Sequence, residues 1–458
     1  MGSNDRVYKT IGIVCIFILA LFLRVIPSPQ EKYRNGLGQF GDTYLYHIIA
    51  HNLYRGNGFS GITDGKSFGS EGKSIPVEGY ESAASRAPIY PFFIFGVYKF
   101  LGNAEDMESI LTWHKNWDKV RIVQCVLDAS LCVTVYFINR LIWPANAWPA
   151  LFASILYCFS FYNIYYARAL LSESLTTFWV TISLFFSVIG LKYPQTRWWW
   201  VASGAGFALT TLTRPEYILF IPFLGIFIFT INRKNAFLAL KTMTIFMVSA
   251  LIVIIPWTIR NYICFKEPII VSTGGLGSGL FIGTYESNDW KGWRDFPDYI
   301  YRSIEEKKLV EKLFSDFGYY FRNGSIKIRE VDAALTAIAL DKLKSDPLRI
   351  VKLWVEKIPR LWYQNYIQMY AVKEPSGVYF IFYFFFALVA FFYKSKKEDK
   401  ILMMPIVLLF FYLNCIFLPL HVEPRYGVTI MPGMICLAGI GLWKSVKLFF
   451  RSQGSSSS

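Results

Sequence analysis

Charged residues that can do chemistry stand beside apolar segments at several points of this chain. Carboxylates can accept a proton there, and arginines can bind anionic oxygens. An ionisable group at the bilayer centre costs roughly 2.5 to 3.5 kcal/mol on insertion scales, so such groups indicate a site when they gather on one side. The alternative is snorkelling of helix-end side chains, which leaves lysines and arginines at both faces. The residues concerned are Asp42, Arg86, Glu173, Arg214, Arg260, His421, Glu423 and Arg425.

Long apolar runs must position these residues. Hydrophobic residues make up 54% of the 458, and several runs exceed the ~18 apolar residues that mark a spanning helix. The composition therefore predicts an all-α polytopic membrane protein embedded in a lipid bilayer. About ten or more spans are expected, approximately at residues 8–26, 120–142, 148–165, 175–191, 198–212, 217–231, 238–257, 378–393, 401–420 and 427–449.

The short loops between these segments predict the orientation. Their basic residues, such as Arg140, Lys192, Arg233 and Lys394, fall on one side, which the positive-inside rule makes cytoplasmic together with both termini. The same loops explain much of the net charge of +15, so no nucleic acid is expected as a partner. The charged cluster then lies on the extracytoplasmic side of a plasma (inner) membrane.

Two apolar segments are ambiguous. The first resembles a signal peptide in length, but it lacks the small-residue cleavage pattern and is interpreted as a retained helix. Residues 86–101 are apolar over fewer residues than the ~20 of a spanning helix, which favours an interfacial or re-entrant helix. If that segment spanned the membrane, Asp42 and Glu173 would lie on opposite faces.

Four regions follow from this threading. Residues 1–260 form an N-terminal transmembrane module with a first outer loop at 27–119, and 261–377 form a second outer region with interfacial helices. Residues 378–451 form C-terminal transmembrane helices, and 452–458 a flexible tail. In the second outer region, helical patterns cover 328–344 and 348–362. The latter predicts an interfacial amphipathic helix, although packing onto the membrane domain explains the same stripe.

Five short motifs occur in a familiar order. This chain resembles the GT-C glycosyltransferases of the protein O-mannosyltransferase and lipid A aminoarabinose transferase type, often described as glycosyltransferase family 39-like. The resemblance covers almost the whole chain and implies a GT-C-like bundle. The motifs are Phe40-Gly-Asp-Thr-Tyr, Ser85-Arg-Ala-Pro-Ile-Tyr-Pro, Leu212-Thr-Arg-Pro-Glu, Pro256-Trp-Thr-Ile-Arg-Asn-Tyr and Glu423-Pro-Arg-Tyr.

The resemblance implies transfer of a sugar from a polyprenyl-phosphate donor, of the undecaprenyl or dolichyl type, to a glycan, lipid or protein acceptor. Asp42 takes the position of the family's catalytic carboxylate and would act as general base in an inverting displacement. The alternative is a helix N-cap, for which Asp42 is also suited. Some family members carry two adjacent acids here, whereas Thr43 follows Asp42, so Glu173 is the first candidate for the second role, with a structural ion pair as the alternative.

The leaving phosphate of such a donor needs fixed positive charge. Arginine suits it because the planar guanidinium binds two phosphate oxygens and remains charged. Arg86, Arg260 and Arg425 are assigned to the donor phosphate, with snorkelling to headgroups as the alternative. Acceptor-binding or supporting roles are assigned to Glu173, Tyr90, Arg214, Glu216, His421, Glu423 and Tyr426, with Arg214–Glu216 and His421–Glu423 read as structural pairs.

No obligatory metal or other cofactor is expected. The outer regions contain no Asp-x-Asp triplet, although Asp289, Asp295 and Asp298 are able to bind a divalent cation weakly. His47 and His51 share a helical face but have no third ligand. A polytopic transporter and a lipid-linked oligosaccharide ligase are the alternatives. Against transport, no internal repeat is visible and the charges lie at one end of the helices.

Overall fold

Helices dominate the computed structural model, which describes residues 3–26, 41–61, 66–68, 74–76, 82–102, 116–286, 300–323, 326–362 and 376–455. The predicted all-α membrane fold is confirmed. The exception is an antiparallel pair of short strands, β1 (Lys66–Phe68) and β2 (Ser74–Pro76), within the loop predicted to be the first outer one.

The N-terminal half of the described chain contributes ten α-helices. They are α1 (Ser3–Val25), α2 (Gly41–Arg55), α3 (Ile89–Leu101), α4 (Trp117–Ile142), α5 (Trp148–Cys158), α6 (Phe161–Arg168), α7 (Ser172–Lys192), α8 (Trp198–Thr213), α9 (Phe220–Ile231) and α10 (Ala236–Phe265). A 3₁₀ turn, Pro215–Tyr217, connects α8 to α9.

The remainder contributes seven more among the described residues. They are α11 (Leu276–Gly283), α12 (Ile304–Asn323), α13 (Ile328–Ser345), α14 (Pro347–Glu356), α15 (Ser376–Phe392), α16 (Lys397–Phe417) and α17 (Met431–Ser455). Two 3₁₀ segments, Ile358–Leu361 and Pro424–Ile430, follow α14 and precede α17.

Each of the ten predicted spans falls on helical structure. Five of the described helices are long and apolar enough to cross a membrane, or six when the bent pair α5–α6 is one span. Helices α1, α3, α9 and α15 are apolar but shorter in their described parts. The number of ten crossings, the orientation and the interfacial placement of α3 therefore remain predictions.

The third predicted span, 148–165, is wrong as a single helix. Helices α5 and α6 meet at a bend of 49°. The break exposes backbone carbonyls, and the Arg24 guanidinium of α1 donates to the oxygens of Tyr157 and Cys158, both at 3.3 Å. Arg24 also ion-pairs with Asp128 of α4 at 2.6 Å, and both side chains are buried. A buried arginine thus satisfies the polar groups that the break leaves open.

Close backbone contacts hold the bundle together. Helix α17 packs on α15 and α5, and α8 packs on α7 and α10. A Cβ on Gly441 would lie 1.8 Å from the backbone oxygen of Phe386, and one on Gly439 would lie 2.7 Å from that of Pro149. Glycine is therefore required where α17 crosses its neighbours, as at many membrane helix interfaces.

The region between α10 and α15 packs around a separate apolar cluster that includes Phe281, Phe317 and Leu335. Gly274 and Gly275 adopt left-handed conformations just before α11, and Asp332 accepts from the backbone N–H groups of Gly275 and Ser278, both at 3.1 Å. The Gly-Gly pair therefore forms the turn that opens α11.

Of the two helices predicted in this region, at 328–344 and 348–362, only one is present as a single helix. The first is confirmed as α13, whereas the second is wrong as one helix, because α14 ends at Glu356 and a 3₁₀ segment with Pro359 at its start follows. Proline lacks the backbone N–H that a continuing helix needs. On α14, Leu348, Val351 and Val355 are exposed.

Candidate functional site

Asp42 lies in the first turn of α2, where the helix dipole favours a negative charge. Its Oδ1 pairs with Arg86 Nη2 at 2.6 Å, and its Oδ2 pairs with Arg425 Nη1 at 3.3 Å. The side chain is 30% exposed, so the carboxylate remains accessible while two guanidinium groups hold it. Asp42 thus contacts both arginines, and the three residues predicted to lie on one face are close together.

Burial alone would raise the pKa of the Asp42 carboxyl. The guanidinium groups of Arg86 and Arg425 outweigh that effect, and the pKa lies below its ordinary value of 3.8. Asp42 is therefore a carboxylate at neutral pH.

Arg86 is held by the short extended segment before α3. In that segment the Ala83 N–H donates to Phe59 O at 2.7 Å, and Ala84 O accepts from Thr273 N–H at 2.8 Å. The Arg86 guanidinium also lies over the ring of Tyr46, 5.2 Å from its centroid. The segment and the ring together aim this arginine at Asp42.

Arg425 lies among three carboxylates. Its Nε is 2.5 Å from Glu423 Oε2 and 3.5 Å from Glu173 Oε1, in addition to the contact with Asp42. It is carried by the 3₁₀ segment before α17, and its guanidinium lies 5.5 Å from the ring centroid of Tyr426. Arg425 therefore links the C-terminal motif to both Asp42 and Glu173.

Glu173 occupies the first turn of α7 and is almost completely buried. Its Oε1 accepts from Arg214 Nη1 at 2.8 Å, and Arg214 Nε in turn donates to Glu216. Arg214 lies 4.8 Å from the ring centroid of Tyr426. The expected Arg214–Glu216 pair is thus present, and it extends to Glu173. The second oxygen, Glu173 Oε2, accepts no hydrogen bond from any residue that the structure describes.

His421 lies between two carboxylates. Its Nδ1 is 2.8 Å from Glu286 Oε1, and its Nε2 is 3.1 Å from Glu423 Oε1, so the expected His421–Glu423 pair is present. Burial lowers the pKa of His421, but the two carboxylates outweigh it and raise the pKa above 6.5. Glu286 was not singled out in the sequence, because a single acid after an apolar helix carries no spacing signal.

Arg260 and Tyr90 lie elsewhere. Arg260 donates to Ala83 O at 3.2 Å and stacks with Trp257 at 4.7 Å, so among its described contacts it touches the segment that carries Arg86 rather than Asp42. Tyr90 is fully buried, and its hydroxyl donates to Gln124 Oε1 at 2.9 Å. Its ring meets that of Tyr46 edge-on at 4.9 Å. Tyr90 thus packs against Tyr46, whose ring contacts the Arg86 guanidinium.

Among the described ranges, no group of three or more histidine, cysteine or acidic side chains is arranged to hold an ion. Asp289, Asp295 and Asp298 lie outside the described residues. The site combines an ionised carboxylate with arginines that can bind anionic oxygens, which suits proton abstraction beside an anionic leaving group.

Comparisons with known proteins agree with this architecture. The family model described as dolichyl-phosphate-mannose-protein mannosyltransferase matches residues 109–259, about a third of the chain. A comparison with curated protein sequences found no match.

Solved structures are similar over nearly the whole chain. The archaeal oligosaccharyltransferase AglB from Archaeoglobus fulgidus, in complex with an inhibitory peptide and a dolichol-phosphate, has 11% identity and a TM-score of 0.56, covering 99% of this chain and 52% of that one. An Archaeoglobus fulgidus oligosaccharyltransferase with Zn and sulfate has 13% identity and a TM-score of 0.52, covering 96% and 50%. This chain therefore spans about half the length of these proteins.

ArnT from Cupriavidus metallidurans in the apo state has 14% identity and a TM-score of 0.40, covering 96% of this chain and 77% of that one. The fold assignment depends on the oligosaccharyltransferases, whose TM-scores are higher, and it confirms the resemblance drawn from the motifs. This chain is a polytopic membrane protein with the GT-C glycosyltransferase fold.

Proposed function

We propose that this protein transfers a sugar from a polyprenyl-phosphate donor to an acceptor hydroxyl at the extracytoplasmic membrane face. The observation that carries the proposal is the Asp42 carboxylate held between Arg86 and Arg425. The matched family, which by its description uses dolichyl-phosphate-mannose, and the dolichol-phosphate of the AglB complex support this class of donor.

In the proposed reaction, the acceptor oxygen attacks the anomeric carbon of the donor sugar. The bond between that carbon and the phosphate oxygen breaks, and the polyprenyl phosphate departs with the electron pair. The acceptor proton passes to Asp42. A single displacement of this kind inverts the anomeric centre. A positioned general base typically contributes 10²–10⁴-fold to the rate.

Arg86 and Arg425 have two functions in this proposal. Without donor, they neutralise Asp42; when the donor phosphate binds, it competes for the same guanidinium groups. A guanidinium shared with a phosphate stabilises the carboxylate less, so the pKa of Asp42 rises and the carboxylate becomes a stronger base. Donor binding thereby increases the basicity of Asp42 at the point where the proton must be removed. Arg260 is the third proposed phosphate ligand.

Glu173 is proposed to bind the acceptor. Its Oε1 is used by Arg214 and Arg425, while Oε2 is buried and accepts no hydrogen bond from the described residues. Buried carboxylate oxygens are normally hydrogen-bonded. An acceptor hydroxyl donating to Oε2 would satisfy it. Some family members carry a second acid directly after the catalytic carboxylate, where this chain has Thr43. Glu173 of α7 would then take the role of that second acid.

The deciding experiment is lipid and glycan profiling of a deletion strain. The proposal expects a polyprenyl-phosphate monosaccharide to accumulate and one acceptor to lose a single sugar, with both restored by the wild-type chain but not by Asp42→Asn. Accumulation of a solute on one membrane side would indicate transport instead.

A second candidate, transfer of a whole lipid-linked oligosaccharide, is favoured by the similarity to the oligosaccharyltransferases. It predicts accumulation of a lipid-linked oligosaccharide and loss of an entire glycan from the acceptor. The identity of the lipid that accumulates therefore separates the two enzymes.

A further inference from the structure

A second charged cluster lies behind the Asp42 site and centres on Glu286, just after α11. Glu286 is fully buried, and three basic side chains surround it: His421 at 2.8 Å, Arg360 at 3.2 Å and Lys357 at 3.7 Å. The backbone N–H of Val422 also donates to Glu286 Oε2 at 3.1 Å. A buried carboxylate with this many donors holds its partners in fixed positions.

His421 is the partner that faces the Asp42 site. Both of its ring nitrogens lie within hydrogen-bond distance of a carboxylate oxygen, Glu286 on one side and Glu423 on the other. Only the imidazolium can donate from both nitrogens, because a neutral ring turns one lone pair toward a carboxylate. The geometry therefore corresponds to protonated His421.

The contacts continue from His421 to the proposed base. Glu423 accepts from His421 with Oε1 and pairs with Arg425 Nε at 2.5 Å through Oε2. Arg425 Nη1 then lies 3.3 Å from Asp42. Every link is a charged contact, and among the described contacts Glu423 joins His421 to Arg425.

We infer that Glu286 and His421 are positioning residues: the buried Glu286–His421 pair orients Glu423, and Glu423 fixes the Arg425 guanidinium against Asp42. The inference rests on the proposed function, since it assigns the pair a role in placing the proposed phosphate-binding arginine. Arg425 pairs with the carboxylates of Asp42, Glu173 and Glu423. Its position therefore depends on how firmly each carboxylate is held, and His421 holds Glu423. Neither Glu286 nor His421 contacts the reacting atoms.

Two substitutions of His421 separate positioning from packing. In His421→Gln the amide nitrogen reaches about as far as Nε2 and can still donate to Glu423, whereas in His421→Asn it reaches about as far as Nδ1 and can donate only to Glu286. The inference expects kcat of His421→Asn to fall at least 10-fold further than that of His421→Gln. Glu286→Gln serves as a third variant only if it folds, because it leaves Lys357 and Arg360 buried beside an uncharged group.

The pH profile gives a second readout. Glu286, Glu423, Lys357, Arg360 and the ring of Tyr426 face or adjoin His421. Loss of the His421 proton at alkaline pH removes one of its two donors, so wild-type kcat should fall there and this fall should be absent from His421→Gln. Burial lowers the pKa of Lys357 to about 8, so Lys357→Gln must retain the fall if it belongs to His421.

The assays use the full chain in nanodiscs with the donor lipid and acceptor identified in the deletion strain, and undecaprenyl phosphate as a binding probe. Glu306→Gln is the matched control, because it breaks an ion pair with Lys342 (2.6 Å) in the same region but away from this chain of contacts. Its kcat and pH profile should match wild type.

Equal losses in His421→Gln and His421→Asn, with an unchanged pH profile, would mean that His421 only packs and would overturn the inference. Wild-type kcat in His421→Asn would overturn it as well. Absence of transfer by the wild-type chain with every polyprenyl-phosphate sugar is a different result and counts against the proposed function itself.

Discussion

Arg425 Nη1 lies 3.3 Å from Asp42 Oδ2, although 383 residues separate the two in the chain. The contact joins the first turn of α2 to the 3₁₀ segment before α17. The N-terminal and C-terminal parts of the GT-C-like bundle therefore meet at the candidate site, and residues from both parts determine the charge of that site.

Asp42→Asn tests the general base. Asparagine has nearly the same shape but cannot accept the proton, so we expect kcat to fall about 10²–10⁴-fold. Binding of undecaprenyl phosphate should be unchanged or tighter, because Arg86 and Arg425 lose a competing carboxylate. Asp118→Asn is the control, since Asp118 is an exposed acid paired with Arg121. Full activity of Asp42→Asn would refute the assignment.

The two arginines Arg86 and Arg260 are expected to differ. Arg86 contacts Asp42 directly, whereas Arg260 contacts the backbone of the segment that carries Arg86. We expect Arg86→Ala to weaken binding of undecaprenyl phosphate about 10–100-fold, the loss of a charge-assisted contact of roughly 1.5–3 kcal/mol. Arg260→Ala should weaken it less. Titration of the purified variants in nanodiscs checks this order, and an unchanged affinity for Arg86→Ala would rule out its phosphate role.

The acid side of the pH–rate profile reports on Asp42. Because Arg86 and Arg425 lower the pKa of Asp42 below 3.8 in the protein without donor, kcat/KM for the donor, which reports the free enzyme, should not fall through protonation of Asp42 between pH 5 and 7. The stabilisation from these ion pairs is present above the unfolded-state pKa and is lost as pH falls through the lowered folded-state value. In Arg86→Ala the acid limb should move to higher pH. A limb at the same pH in both proteins would contradict the coupling.

The Arg24–Asp128 pair predicts a large stability effect. Removing one partner leaves a buried charge uncompensated, so Asp128→Asn should destabilise the protein by about 3–5 kcal/mol. The double variant Arg24→Met, Asp128→Leu should lose less than Arg24→Met alone. Thermal unfolding in detergent measures both, with Asp118→Asn as a control expected within about 0.5 kcal/mol. A neutral Asp128→Asn would show that the pair carries no stability.

The sequence predicted the meeting of Asp42, Arg86 and Arg425 because apolar segments determine where helices end, and charges at helix ends on one side must come close. The same argument placed Glu173 and Arg214 correctly in the cluster. Their assignment to donor or acceptor could not be tested in this way, because charge pairing alone does not reveal which ligand a group binds.

Other features of the structure could not be predicted from the sequence near the residues concerned. Glu286 pairs with His421, which lies 135 residues further along the chain. Lys357 and Arg360 belong to a segment whose sequence pattern is also that of an exposed amphipathic helix. The break between α5 and α6 interrupts an apolar run with no proline or glycine at the break, and the guanidinium that donates to the oxygens of Tyr157 and Cys158 comes from Arg24, 134 residues before Cys158. Long-range pairs of this kind depend on the packing of the whole bundle.

The Arg24–Asp128 contact also bears on how the protein is made. Arg24 leaves the ribosome 104 residues before Asp128, an interval of about 5–20 s at typical synthesis rates of 5–20 residues/s. During that time the Asp128 carboxylate is not available to Arg24. We therefore expect the first helix to reach its final position in the bundle only after α4 has been translated.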